Sequence, residues 1–192
     1  PEKFGTIRQE VPEDATRLLA LLPESIRPAY RERFDVDVLV PLMSLIASAV
    51  IDFFATKLES LFPEARVLSS VFEWQPTDKT ALIIAPVKGE ARVRAKVQEY
   101  ADEFGHDIAK WPFVQCVGDL VRASIVCADM DGVVAAWQRV EQGFGVRDGH
   151  GRLKNNWFTC EPRPPDMLVN VVVDVPSAPS ITGEIQIHLH DI

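Results

Sequence analysis

The stretch Gly183-Glu184-Ile185-Gln186-Ile187-His188-Leu189-His190 alternates strictly, so Glu184, Gln186, His188 and His190 fall on one face of a strand and Ile185, Ile187 and Leu189 on the other. The apolar face packs on a core. The polar face is either a solvated sheet surface or part of a site, and the segments upstream bear on which.

Thr80-Ala81-Leu82-Ile83-Ile84-Ala85 is a continuous apolar run of strand length. From Lys88 to Phe104 the period becomes helical, with Val93, Val97, Tyr100 and Phe104 on one stripe and Lys88, Arg92, Lys96, Glu99 and Glu103 on another. Three cations at i, i+4 and i+8 repel one another without a partner. The stripe is therefore either a solvated face or a face turned to an anion. Strand material follows in Phe113 to Cys127, headed by Gly118-Asp119. Asp131 to Gly143 reads as a helix, with Asp131 as N-cap and Gly143 closing it. Phe144 to Arg147 fits a short strand, and Arg152-Leu153-Lys154-Asn155-Asn156-Trp157 reads as a basic loop. Asp166 to Val175 and Ile181 to Leu189 are strands joined hairpin-fashion through Pro176 to Ser180. Strand, helix, strand, helix and then consecutive strands predict an α+β fold, a mixed β-sheet of about five strands flanked by helices.

The N-terminal part reads differently. Short helices are expected over Pro12 to Leu22 and Pro28 to Phe34, and a longer one over Val38 to Phe62, with Pro41 in its first turn and Pro63 closing it. Ser69 to Lys79 reads as a loop, which divides a helical N-terminal region (1–68) from the α/β region (69–192). The uncharged run from Val38 to Ile51 is short of the roughly 20 residues that span a bilayer, so no membrane partner is expected.

The chain has 192 residues, enough for one well-buried core, with 47% hydrophobic and 25% charged residues and a formal net charge of -8. That charge argues against a broad nucleic-acid or anionic-membrane surface and restricts any anion site to a local basic patch. Cys116, Cys127 and Cys160 are odd in number and widely spaced, which reads as reduced thiols in a cytoplasmic protein. With His106, His150, His188 and His190 lacking a ligand partner at helical spacing, the pattern argues against structural zinc. No feature sets an oligomeric state.

Basic groups and two separated carboxylates are what triphosphate chemistry with a divalent metal requires. Asp119 and Glu184 each stand at the start of an apolar strand. They are either strand-ending surface acids or the carboxylate pair that would hold Mg²⁺ with phosphate and water. Arg152 and Lys154 would then clamp phosphate, and Trp157 would offer a face for a base. On a regular strand Asp119 and Arg122 have opposite parity and are expected on opposite faces unless a bulge intervenes.

The order of these motifs resembles the synthetase domain of the RelA/SpoT family of nucleotide pyrophosphokinases over about the last 110 residues, one ordinary domain length. Val87 to Lys96 looks like the family's basic helix, with Lys88, Arg92 and Lys96 at its phosphate-contacting positions. Asp119-Leu120-Val121-Arg122-Ala123 looks like its Asp-headed strand, and Glu184-Ile185-Gln186-Ile187 matches its Glu-x-Gln-Ile strand. The resemblance implies a nucleotidyltransferase-like fold with a helical N-terminal extension, and Mg²⁺ bound by Asp119 and Glu184. It implies nucleotide contacts from Lys88, Arg92, Lys96, Arg122, Arg152, Lys154, Gln186 and His188. The implied reaction moves pyrophosphate from ATP to the 3′-hydroxyl of a guanosine nucleotide or an RNA 3′ end such as that of tRNA.

There are departures. No tyrosine stands in Arg163 to Asn170, where the family's glycine-tyrosine loop would fall. Ser124 replaces an arginine while Arg122 sits two residues earlier, and His188 replaces the arginine after the Gln-Ile pair. The loss of the tyrosine leaves a second expectation, a catalytically degenerate nucleotide-binding sensor or interaction domain of the same fold. A third is an unrelated α/β domain with a solvated polar strand face.

Overall fold

The computed structural model describes residues 27–75, 77–104, 111–146, 151–157, 166–176 and 178–190, with Arg17, Leu21 and Pro23. The helix expected over Pro12 to Leu22 falls almost wholly outside them, as do His106, His150, Cys160, Arg147 and the residues Arg163 to Pro165.

Six strands form one mixed sheet: β1 (Arg66–Val67), β2 (Thr80–Ala85), β3 (Val121–Cys127), β4 (Gly151–Asn155), β5 (Asp166–Val175) and β6 (Ala178–Leu189), in the order β1-β2-β3-β6-β5-β4. The strand β6 lies between β3, to which it is parallel, and β5, to which it is antiparallel. The parallel pairing requires a crossover. That crossover is α4 (Met130–Phe144) followed by the β4–β5 meander. Two strands exceed the expectation. The two-residue β1 is too short to leave a periodic signal, and the basic segment at Arg152 is a strand, its ladder supplied by β5.

Helix α1 (Arg27–Phe34) runs into a π-turn (Asp35–Leu39) and then α2 (Val40–Leu61). Pro41 stands just after that turn, where it removes an amide from the helical ladder. Met43, Ile46, Val50, Phe54 and Leu58 recur at helical spacing and are buried under the sheet. Helix α4 covers the same face with Val133, Ala136, Val140 and Phe144. The helical run Asp35–Leu61 is 27 residues long and contains an 18-residue stretch with a mean hydropathy of 2.2, enough by length and composition to cross a bilayer. Here its apolar stripe belongs to the core it shares with Ile125, Ile185 and Ile187. That core runs through both sides of the expected boundary at residue 68, and β1 on one side pairs with β2 on the other.

Helix α4 is capped by Asp129, not Asp131: Asp129 is extended and its Oδ1 accepts from Gly132 N at 2.7 Å. It closes at Gly145, not Gly143, because Gly145 takes the left-handed φ of 62° while Gly143 lies inside the helix against Leu61. Phe144 to Val146 is thus a helix end rather than a strand. Gly145→Ala is expected to cost about 1–2 kcal/mol, since a Cβ disfavours this conformation, read as a lower urea midpoint.

Asp35 is fully buried in the π-turn, where its carboxylate accepts from Phe113 N at 2.9 Å and Val114 N at 3.3 Å. It thereby joins the N-terminal helices to the 3₁₀ turn Phe113–Cys116, which leads to the site. Burial raises its pKa from 3.8 to about 6, although the amide hydrogen bonds pull the other way. The folded state therefore holds this proton more tightly than the unfolded state. The resulting stability is full below pH 4 and lost as pH rises through 6. Wild type minus Asp35→Asn is expected to lose about 1.4 kcal/mol of unfolding free energy between pH 5 and pH 7.5, measured by urea titration at both values.

Candidate active site

The sheet register builds the site. Because side chains alternate, Ile185 and Ile187 point to the helices and Glu184, Gln186 and His188 to the opposite face. Cross-strand pairing places Arg122 of β3, Glu184 of β6, Asn170 of β5 and Arg152 of β4 in one row across four strands. At ~4.8 Å per strand the two arginine Cα atoms lie about 14 Å apart, with the carboxylate of Glu184 between them. The next row is Ser124, Gln186, Leu168 and Lys154.

Asp119 stands before β3 rather than in it, so strand parity does not govern where its carboxylate points. Its loop is anchored by buried Val117 and Leu120, by Asn170 Nδ2 donating to Gly118 O at 3.2 Å, and by Lys88 N donating to Leu120 O at 3.0 Å. Asp119 and Glu184 line one cavity of about 420 Å³ at the N-terminal end of β3 and beside the middle of β6, walled by α3 (Glu90–Phe104) and by β4 and β5. Burial raises the pKa of Glu184, and the charge of Asp119 raises it further, while Lys88 and Arg122 pull it down.

The predicted basic residues separate. Lys88 precedes α3 instead of belonging to it; its ammonium is buried and paired with Asp119 Oδ2, leaving Oδ1 without a partner among the described residues. Lys96 lines the cavity and is paired with Glu99 at 3.3 Å. Its pKa is raised: partial burial opposes this, but the Glu99 hydrogen bond and the nearby negative charges outweigh it. Arg92 is exposed and does not line the cavity. Arg152 and Lys154 line the same cavity from β4, three strands away from β3. Arg122 is half-buried, with an Nε that is buried and lacks a hydrogen-bond partner.

Gln186 is engaged elsewhere: its Nε2 donates to Asp166 Oδ2 at 2.5 Å, and Asn156 Nδ2 donates to Asp166 Oδ1 at 2.6 Å, a network that ties β4, β5 and β6 together. His188 lies in the Asp166 row, beyond the cavity, and His190 stacks on Trp74 at 4.8 Å. Trp157 packs on the other side of the sheet, in an apolar groove with Val133, Trp137 and Met167 of α4 and β5. It is therefore remote from the carboxylates.

Among the described residues no cluster of three or more His, Cys, Asp or Glu is placed to hold a metal. The carboxylate pair fits Mg²⁺, which takes one or two protein carboxylates and fills its remaining positions with water and phosphate oxygens. The pKa of Glu184 is raised first by burial and second by repulsion from Asp119, and a dication would relieve that second part.

No family model matches the chain, and no curated protein matches it in sequence. Among solved structures it is similar to small alarmone synthetase 2 from Bacillus subtilis, at 15% identity over 78% of this chain and 71% of that one, with a TM-score of 0.43. Small alarmone synthetase 1 from the same organism, bound to its product pppGpp, matches at 13% identity over 78% and 73%, with a TM-score of 0.46. A chain of the complex between the type VI effector Tas1 and its immunity protein matches at 17% identity over 94% and 63%, with a TM-score of 0.38.

Proposed function

We propose that this chain is a magnesium-dependent pyrophosphoryl transferase that moves pyrophosphate from ATP to the 3′-hydroxyl of a nucleotide. The observation that carries the reading is the row Arg122–Glu184–Asn170–Arg152: a carboxylate, joined in its cavity by Asp119, with cations on both sides. Transfer between two phosphorylated substrates needs an anion site on each side of the reacting atoms. A solvated strand face has no such requirement. The Glu-x-Gln-Ile and Asp-headed motifs, which resemble those of RelA/SpoT synthetases, support the same reading.

In this mechanism Asp119 would hold Mg²⁺, which when bound would neutralise the polyphosphate and polarise its phosphoryl oxygens, leaving the Glu184 carboxylate to act as the base. Arg122 supplies a guanidinium for the donor triphosphate, its buried Nε being an unused donor. Arg152 and Lys154 take the acceptor's 5′-phosphates. Glu184 accepts the proton of the 3′-hydroxyl as its oxygen bonds to the β-phosphorus; the bond from the β-phosphorus to the bridging oxygen breaks, and AMP leaves with that oxygen. A raised pKa makes Glu184 a better base than an ordinary carboxylate. Lys88 fixes the orientation of Asp119.

The test is incubation with γ-labelled ATP, Mg²⁺ and GDP, GTP, ATP or bulk tRNA. Label on one acceptor with an equal yield of AMP is the expected result. Magnesium-dependent ATP binding without label transfer or AMP would reduce the chain to a nucleotide sensor.

A further inference from the structure

Tyr100 and Phe104 fall on the apolar stripe of α3, where a helix face packing on a core accounts for them without a ligand. Their surroundings ask for more. Both line the cavity that holds Asp119 and Glu184. Tyr100 is only half-buried, and its ring lies parallel to that of Phe104, with centroids 5.9 Å apart and planes 6° apart. Phe104 in turn stacks on buried Phe113 at 6.3 Å. The tyrosine ring is thus the outermost of three, backed by two others and held at a fixed orientation. Lys96 sits 5.9 Å from its centroid, and no hydrogen bond engages its hydroxyl among the described residues.

The polar groups of the cavity are also divided by position. Arg152 and Lys154 on β4 make one wall cationic, whereas on α3 the ammonium of Lys96 is already paired with Glu99 and the carboxylate of Glu103 would repel a phosphate. The carboxylates of Asp119 and Glu184 line the same space. A nucleotide laid in this cavity has one orientation that satisfies all three: phosphates on β4, ribose at the carboxylates, and base against α3.

We infer that Tyr100 is the base-stacking residue of the acceptor subsite, so that the aromatic wall comes from helix α3 and not from the loop before β5, where Arg163 to Asn170 contain no tyrosine. The inference rests on the nucleotide-transferase reading above. It assigns to α3 a second task besides packing, and it makes Tyr100 an acceptor-binding residue that never touches the reacting atoms. Stacking is tolerant of the base, because every base has a π-face.

The experiment measures magnesium-dependent binding of GDP, ADP and 1-deoxyribose 5-diphosphate, which carries the same sugar and phosphates with no base. Wild type, Tyr100→Phe and Tyr100→Leu are titrated calorimetrically. Wild type is expected to bind at least one of the nucleotides about tenfold to a hundredfold more tightly than the abasic compound, the usual worth of one stacked base. Tyr100→Phe should keep that advantage. Tyr100→Leu should lose it while binding the abasic compound as wild type does, a pattern that general damage to the fold would not give. Tyr100→Leu binding nucleotide like wild type, or losing nucleotide and abasic compound alike, would overturn the assignment with the transferase reading intact. Wild type binding none of the three would overturn both.

Discussion

Replacing Glu184 with glutamine is expected to lower pyrophosphoryl transfer by about 10²–10⁴-fold, the range over which a positioned general base contributes, with a much smaller change in ATP affinity. The substitution keeps the size of the side chain and its place in the row between Arg122 and Asn170. It removes the basic carboxylate that accepts the hydroxyl proton and the charge that repels Asp119. The pH profile gives an independent sign. Burial and the charge of Asp119 hold the Glu184 pKa above the ordinary glutamate value. The base works only when ionised, so wild-type rate should fall as pH drops through that raised pKa, at a higher pH than an ordinary glutamate would give. The glutamine variant should lose this limb. Single-turnover rates across pH, set beside ATP titrations, separate the two effects, and a glutamine variant with wild-type rate and profile would remove Glu184 from the chemistry.

What the sequence makes legible here follows from period and fails where contacts are long-range. Strict alternation in Gly183 to Leu189 places Glu184 and Gln186 on one face, because a two-residue period survives any tertiary context. The stripe of Val93 and Val97 marks the buried side of α3 for the same reason. Strand β4 is hidden because Arg152, Lys154 and Asn155 have weak strand preference, and its pairing is imposed by β5. Lys88 falls on the helical charge stripe by spacing, yet it lies outside the helix and is buried by a partner 31 residues away. Gln186 has the parity of a site residue, but Asp166, 20 residues distant, takes its amide. The cap of α4 sits at Asp129 instead of Asp131 because the choice between nearby aspartates is made by an extended backbone, which composition does not encode. Asn170, which ties the Asp119 loop to β5, leaves no local signal at all.

The ion pair of Lys88 and Asp119 carries the other large effect, and it joins stability to function. Lys88 is 7% exposed and Asp119 22%, so the pair is largely withdrawn from water. Removing one partner of such a pair leaves an uncompensated buried charge, at a cost of about 3–5 kcal/mol. Asp119→Asn is expected to incur most of that cost, because the stranded charge is the deeper ammonium. Lys88→Met should cost less, since the carboxylate it leaves behind still reaches solvent and an apolar side chain suits the space. The double variant should recover much of the loss from Asp119→Asn, which urea unfolding of the four proteins would show as a coupling free energy. Magnesium titrations then divide the roles. A carboxylate that holds the metal should keep or improve its magnesium-dependent ATP binding when Lys88 no longer competes for Oδ2, whereas the single and double variants that carry Asp119→Asn should both lose it. Strong coupling in stability with no difference in magnesium dependence would make the pair a structural strut that ties the loop before β3 to the start of α3. An additive stability cycle with magnesium dependence lost only at Asp119 would instead make Lys88 a bystander whose ammonium finds water when the carboxylate is gone.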